Sequence, residues 1–206
     1  MKELRYTLLS DGSSDRALLP VLSCLLRQHL PDMPIQAEWA DLRRLPRAPR
    51  KLAPRIRKAL EVYPCDVLFI HRDAEGEPRE RRIEEIHEAA VGVSVAWVGI
   101  VPVRMQEAWL LFDEAAIRSA AGNPRGDSPL PLPDLAEVES LPDPKSLLHE
   151  LLRSASGLQG RRRKKFSAPA VVHRVADLIP DFSPLRRLSA FQALEQDLSS
   201  TLARLG

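Results

Sequence analysis

Residues 66–76, DVLFIHRDAEG, contain the pattern that decides the fold, an apolar run that stops at an acidic turn. The run is rich in β-branched and aromatic residues, which favours a buried strand. The turn carries Asp73 and Glu75, and the charged residues 78–90 that come next have helical spacing. This stretch therefore predicts a strand, an acidic turn and a helix in succession.

The same alternation extends over residues 1–121. Strands are predicted at three further positions, residues 4–9, 35–40 and 93–103. Helices are predicted between and after them, at residues 15–30, 54–63 and 105–121. Pro20 predicts a kink or a later start in the first helix. Strands that alternate with helices predict an α/β domain with a mostly parallel central sheet flanked by helices.

The rest of the chain has a different pattern. Residues 123–144 contain six prolines, so we interpret residues 122–144 as a Pro-rich loop. Residues 145–206 are predicted to form a helical C-terminal unit that packs on the same domain, with helices over residues 145–154, 168–178 and 184–205.

Charge is unevenly distributed along the chain. The net charge is only +2, but residues 43–58 hold eight Arg or Lys and no acid, and residues 161–165 form a second basic block. Both blocks suit a polyanion, although a basic run is also typical of a solvated surface. Two cysteines far apart in sequence predict neither a disulfide framework nor a zinc site. No segment resembles a signal peptide or a membrane span, so we expect a cytoplasmic protein with no membrane partner.

Acidic residues occupy the three turns that come after the predicted strands. They are Asp11 and Asp15, then Asp73 and Glu75, then Glu107 and Asp113. Because the carboxyl ends of parallel strands meet at one edge of a sheet, we expect these turns to converge. Carboxylates brought together repel one another, and Mg²⁺ or Mn²⁺ with oxygen ligands would relieve that repulsion. The sequence therefore predicts a metal site at this edge.

Each of these residues also has a structural interpretation. Asp15 suits the start of a helix, and Asp11 suits a glycine-containing turn. Residues 73–75 are also compatible with a solvated loop. Trp109 is interpreted as a core residue, and Asp113 either ends a polar helix face or caps the next element of the chain.

Three segments carry a family resemblance. SDGSSDRALLPVL (10–22) is similar to the glutamate-glycine-x-x-acid motif of the Toprim domain of topoisomerases, bacterial primases and overcoming-lysogenization-defect nucleases, and VLFIHRDAEG (67–76) resembles its strand followed by Asp-x-Asp. VPVRMQEAWLLFD (101–113) resembles the signature of an uncharacterised family of small bacterial Toprim-like proteins. DPKSLLHELL (143–152) and the tail from residue 165 to residue 198 are similar to the same family. The resemblance spans nearly the whole chain and implies a Toprim-like α/β fold.

The chain departs from the Toprim motifs at two positions. Asp11 stands where the Toprim domain has a glutamate, and Glu75 stands where it has an aspartate. Both changes keep the charge but alter the reach of the carboxylate by one methylene. The resemblance therefore supports metal binding more strongly than catalysis.

The resemblance implies a divalent-metal-dependent nuclease of bacterial anti-phage defence, acting on DNA rather than RNA. It assigns Asp11, Asp73 and Glu107 as catalytic, with Asp15 and Glu75 as further ligands of Mg²⁺ or Mn²⁺. Lys145 and the block Arg161, Arg162, Arg163, Lys164 and Lys165 are predicted to hold the phosphate backbone. The alternative is a non-catalytic nucleic-acid-binding or regulatory subunit of an ATPase-containing complex, since the chain has no phosphate-binding ATPase motif of its own.

Overall fold

The computed structural model describes residues 3–205. Within them the chain has an α/β fold with one four-stranded sheet. Its strands are β1 (Leu4–Leu9), β2 (Ile35–Trp39), β3 (Val67–His71) and β4 (Ala96–Ile100). The α-helices of the same residues are α1 (Leu18–His29), α2 (Leu52–Val62), α3 (Arg79–Ala89), α4 (Glu114–Ala120), α5 (Pro144–Ala155), α6 (Gly160–Lys165), α7 (Ala168–Leu178) and α8 (Ser189–Leu202). The predicted mostly parallel sheet with flanking helices is confirmed, because each pair of neighbouring strands is parallel.

The central strand β3 is buried on both faces of the sheet. Val67 and Phe69 pack into the core that includes α1 and the C-terminal helices. Leu68 and Ile70 pack into a second core with residues of α2 and α3. Helices on both faces explain why the strand is a continuous apolar run rather than an alternating one.

The strand order β2-β1-β3-β4 places the site. From β1 the chain crosses through α1 to β2 on one side, whereas β3 and β4 lie on the other side of β1. The pairing of Leu9 with Ile70 brings the carboxyl ends of β1 and β3 side by side. In open parallel sheets, ligands bind in the crevice at the point where the strand order reverses in this way. The turns after β1 and β3 both open into that crevice.

Three helices differ from the sequence prediction at their boundaries. The helix predicted over residues 184–205 is shorter, because a 3₁₀ helix (Ser183–Arg187) precedes α8. The single helix predicted over residues 105–121 is wrong, because a 3₁₀ helix (Gln106–Leu110) precedes α4. Asp113 separates the two, and its side chain accepts a hydrogen bond of 2.8 Å from the Ala116 backbone N–H, which caps α4. α1 starts at Leu18 after a 3₁₀ turn, so Pro20 lies in its first turn, where no backbone donor is needed.

The helices after the proline-rich segment support the site. A 3₁₀ helix (Leu135–Ser140) lies within that segment, and α5, α7 and α8 bury apolar faces in the core that contains β1. α5 packs against the 3₁₀ helix that carries Glu107, and α7 packs against the 3₁₀ turn that carries Asp15. None of the helices within residues 3–205 is both long and apolar enough to cross a bilayer.

Candidate functional site

A cavity of about 290 Å³ lies at the carboxyl ends of β1 and β3. We call it the acidic pocket, and its lining residues are Asp11, Gly12, Ser14, Asp15, His71, Arg72, Asp73, Glu75 and Lys145. Four of the five acids predicted as metal ligands line this cavity. The fifth, Glu107, lies behind Lys145 and forms an ion pair with it. The turns thus converge as the parallel sheet requires.

Asp15 anchors the turn after β1. Its side chain is buried, accepts a hydrogen bond of 2.7 Å from the Gly12 backbone N–H and one of 3.2 Å from the Ser14 hydroxyl. A Cβ on Gly12 would lie 3.3 Å from Asp15 Oδ1, so glycine permits this close approach. Burial favours the neutral carboxyl, but His71 and these hydrogen bonds outweigh it and lower the pKa of Asp15. Asp15 is therefore an ionised, buried group and more than a helix-start residue.

His71, the last residue of β3, links two of the acidic turns. Its side chain is 2% exposed, with Nδ1 3.4 Å from Asp15 Oδ2 and Nε2 3.2 Å from Asp73 Oδ1. Burial opposes the charged imidazolium, but hydrogen bonds and charge from both carboxylates outweigh burial and raise the pKa of His71 to about 9. At neutral pH the side chain is therefore a buried cation between two anions.

Glu107 and Lys145 form a second ion pair of the site, in which the glutamate is buried and the lysine is half-exposed. Glu107 is 1% exposed, and the Lys145 ammonium lies 3.1 Å from its Oε1 atom. Burial raises the pKa of Glu107, and the nearby ammonium only partly opposes that shift. Burial also disfavours the charge on Lys145, but Glu107, with smaller effects from Asp15 and Asp73, raises the pKa of Lys145. Lys145 is thus the cation that faces all three buried or half-buried acids.

Asp11 lies at the exposed rim of the pocket. Its side chain is 47% exposed and pairs with Arg55 and with Arg72, whose Nη1 atom lies 2.6 Å from Oδ2. Arg55 also donates a hydrogen bond of 2.6 Å to the Ser10 carbonyl. The Asp11 carboxylate is therefore held by two arginines from different elements.

Glu75 is the second exposed acid that lines the pocket. Its side chain is 67% exposed and lies 3.5 Å from Arg82. Its backbone has φ of +53°, a left-handed conformation that costs a residue with a Cβ roughly 1–2 kcal/mol. Strained backbone of this kind concentrates at functional sites.

The charged groups of the pocket fall into two sets. The inner set is buried or half-buried and consists of Asp15, His71, Asp73, Glu107 and Lys145. The outer set consists of two exposed acids and the three arginines that pair with them: Asp11, Glu75, Arg55, Arg72 and Arg82. Each acid of the pocket therefore has a cationic partner within the protein.

Sequence reasoning identified the acids but missed four of their cationic partners, His71, Arg72, Arg55 and Arg82. His71 and Arg72 stand directly before Asp73, at the end of the apolar run, so their position at the strand end was a usable signal. Arg55 reaches Asp11 only because α2 lies beside the carboxyl end of β1, which the local sequence does not reveal.

The predicted nucleic-acid-binding residues separate in space. Lys145 lines the acidic pocket, as described above. The block from Arg161 to Lys165 forms most of α6, is exposed and lies outside the residues that line that pocket. Its part in nucleic-acid binding stays a prediction.

The predicted metal was tested against the side chains present. Within residues 3–205, no group of three or more His, Cys, Asp or Glu side chains is arranged to hold a metal ion. The repulsion among the acids is relieved by His71, Lys145 and the rim arginines. Carboxylate oxygens such as those of Asp73 and Glu107 still suit Mg²⁺ or Mn²⁺ chemically. In this structure Asp73 Oδ1 faces His71 Nε2 at 3.2 Å, and Glu107 Oε1 faces Lys145 Nζ at 3.1 Å. The metal cofactor stays a prediction.

Among the family models, curated proteins and solved structures compared with the chain, none matches it. The Toprim resemblance therefore rests on the sequence motifs. The chemistry of the site has to be argued from its own residues.

Proposed function

We propose that the protein is a Toprim-like nuclease that uses a divalent cation, Mg²⁺ or Mn²⁺, to cleave phosphodiester bonds. The observation that carries this proposal is the convergence of Asp15, Asp73 and Glu107 around His71 and Lys145 at the switch point of a parallel sheet. Buried acids with ionisable partners are typical of sites that do chemistry.

Asp73 and Glu107 are the proposed principal ligands. One oxygen of each already faces a cation of the protein, because Asp73 Oδ1 lies 3.2 Å from His71 Nε2 and Glu107 Oε1 lies 3.1 Å from Lys145 Nζ. A metal would therefore bind the other carboxylate oxygen or replace these contacts. A bound divalent cation would neutralise charge on the scissile phosphate and lower the pKa of a coordinated water. Asp15 holds the turn beside them, and Asp11 and Glu75 complete the acidic rim.

The cations of the pocket have separate proposed roles. Lys145 is 44% exposed in its side chain, so its ammonium reaches both Glu107 and a phosphate placed in the pocket. His71 is too deeply buried to meet a substrate and acts instead by fixing Asp15 and Asp73 relative to each other. Arg72 is positioned to hold Asp11 and to present positive charge at the rim.

A second candidate is a non-catalytic nucleic-acid-binding or regulatory subunit of an ATPase-containing complex. The pairing of Asp11 with two arginines favours it, because both of its carboxylate oxygens already accept hydrogen bonds from protein side chains. On this view the pocket binds phosphate without cleaving it.

The biological setting is inferred from the motif resemblance alone. We propose that the protein acts in the bacterial cytoplasm, in anti-phage defence, on DNA in preference to RNA. These proposals do not depend on the geometry of the pocket. They are tested by comparing cleavage of DNA with cleavage of RNA, and by phage infection of bacteria with and without the protein.

A cleavage assay separates the two candidate functions. Plasmid, linear duplex, single-stranded DNA and RNA are incubated with the protein in Mg²⁺, in Mn²⁺ and in EDTA. A nuclease cleaves at least one of them only with metal, and Asp73→Asn abolishes the cleavage. Asp32→Asn is the matched control, since Asp32 is exposed before β2, at the other end of the sheet, and keeps full activity. Cleavage by Asp73→Asn equal to that of the unmodified protein contradicts the assignment of the site.

A further inference from the structure

A second cavity, of about 230 Å³, adjoins the acidic pocket at the carboxyl end of β2. Trp39, Arg43, Arg50 and Arg55 contribute to its walls, and Asp11 belongs to the walls of both cavities. Arg55 stands at the border, where it donates to Asp11 and to the Ser10 carbonyl. The two cavities are therefore neighbours along the sheet edge, with the Asp11 side chain between them.

The walls of this second cavity carry three arginines and two aspartates, and the surrounding segment adds further positive charge. Arg43 and Arg50 are exposed, and they belong to the segment 43–58, which contains eight basic residues and no acid. Arg47 and Lys51 are exposed in the same segment. Such a concentration of positive charge beside an acidic pocket attracts a polyanion to the rim without filling the pocket itself.

One wall combines an aromatic ring with a fixed guanidinium. The Arg43 guanidinium lies 5.1 Å from the centre of the half-buried Trp39 ring. Asp41 accepts a hydrogen bond of 2.7 Å from Arg43, and Trp39 donates one of 3.0 Å to the Ser10 hydroxyl, so both groups are held in place. A basic groove with an aromatic surface is the arrangement that proteins use for single strands, whose bases stack while phosphates meet cations.

We infer that this cavity binds a single strand of nucleic acid and leads it into the acidic pocket, with phosphates against Arg43 and Arg50 and a base against the Trp39 side chain. The role of the groove in guiding a strand to the pocket rests on the proposed nuclease function. Binding in it requires no cleavage.

Fluorescence anisotropy of a labelled oligothymidylate, measured in EDTA, tests the groove. Arg50→Gln should weaken binding about fivefold at about 0.1 M salt and lower the slope of log K against log salt by about 0.7, the effect of one lost phosphate contact on a single strand. The matched control is Arg57→Gln, because Arg57 is an exposed arginine of the same basic segment but lies outside the walls of both cavities. Arg57→Gln should bind like the unmodified protein.

Tryptophan fluorescence adds a readout of stacking. The oligothymidylate should quench the fluorescence of the unmodified protein, and Trp39→Phe should remove most of that quenching. The inference is overturned if Arg50→Gln binds with unchanged affinity or if Arg57→Gln loses as much affinity as Arg50→Gln. It is also overturned if Trp39→Phe is quenched fully, or if a hairpin duplex binds more tightly than the single strand.

The binding assay and the cleavage assay test the groove and the nuclease function separately, so one proposal can fail while the other stands. Binding that depends on Arg50, without cleavage of any substrate, keeps the groove and removes the nuclease. Metal-dependent cleavage with binding that ignores Arg50 keeps the nuclease and removes the groove.

Discussion

The inner and outer sets of charges in the acidic pocket both pair carboxylates with cationic side chains, but they differ in exposure to water. His71 lies between Asp15 and Asp73 almost out of contact with water, whereas Asp11 and Glu75 pair with arginines at the rim. A buried charge that loses its partner cannot recover the lost interaction from water, but an exposed one can. We therefore expect the inner set to control the shape of the site and the outer set to contribute little to stability.

Removal of His71 should produce the largest change in stability. His71→Gln leaves Asp15 and Asp73 without their shared cation, and breaking a buried ion pair costs about 3–5 kcal/mol. Urea unfolding measures the loss. The matched rim variant Glu75→Gln should change the free energy of unfolding by less than about 1 kcal/mol, as exposed pairs do. Equal effects in the two variants would remove the distinction between the sets.

The pH dependence of stability should report on the same histidine. Because the pKa of His71 is raised from 6.5 to about 9 on folding, its stabilisation is fully present below pH 6.5 and is lost as the pH rises through about 9. The expected loss is about 3 kcal/mol across this interval. Urea unfolding in EDTA, from about pH 6 to about pH 10, measures it, and His71→Gln should lack this component. A flat profile for the unmodified protein would show that His71 is neutral in the fold.

The smallest effect on stability is expected at the rim residue Asp11. Asp11→Glu keeps the negative charge beside Arg55 and Arg72, so the free energy of unfolding should change by less than about 0.5 kcal/mol. The same variant restores the side-chain length of the Toprim motif. Cleavage gained only in Asp11→Glu would identify the natural protein as a binding module, whereas cleavage by both proteins would show that the shorter side chain is sufficient.

The sequence predicted the sheet and the meeting of the acidic turns well, for a physical reason. Apolar runs such as residues 66–70 specify strands, and parallel strands bring their carboxyl ends to one edge. It predicted the 3₁₀ helix around Glu107 poorly, because that backbone is decided by tertiary packing against α5. The charge compensation by Arg55 and Lys145 was likewise hidden, since those residues are far from their partners in sequence.

The basic segments teach a related lesson about composition. Residues 43–58 contain eight basic residues and α6 contains five, both without an acid, but the former contribute to the cavity beside the acidic pocket and the latter line neither cavity. Only the fold distinguishes a basic segment that adjoins the site from one that does not.

Calorimetric titration with Mn²⁺ is the most direct test of the central claim, that the inner acids form a metal-dependent phosphodiesterase site. We predict that the unmodified protein binds Mn²⁺ and that Asp73→Asn weakens binding at least about tenfold, a loss seen even when a residue that only hydrogen-bonds a metal ligand is changed. The rim variant Glu75→Gln should weaken it less than about threefold, because that side chain is exposed and its charge is screened. No binding by the unmodified protein, with or without nucleic acid, or an equal loss in both variants, would contradict the account.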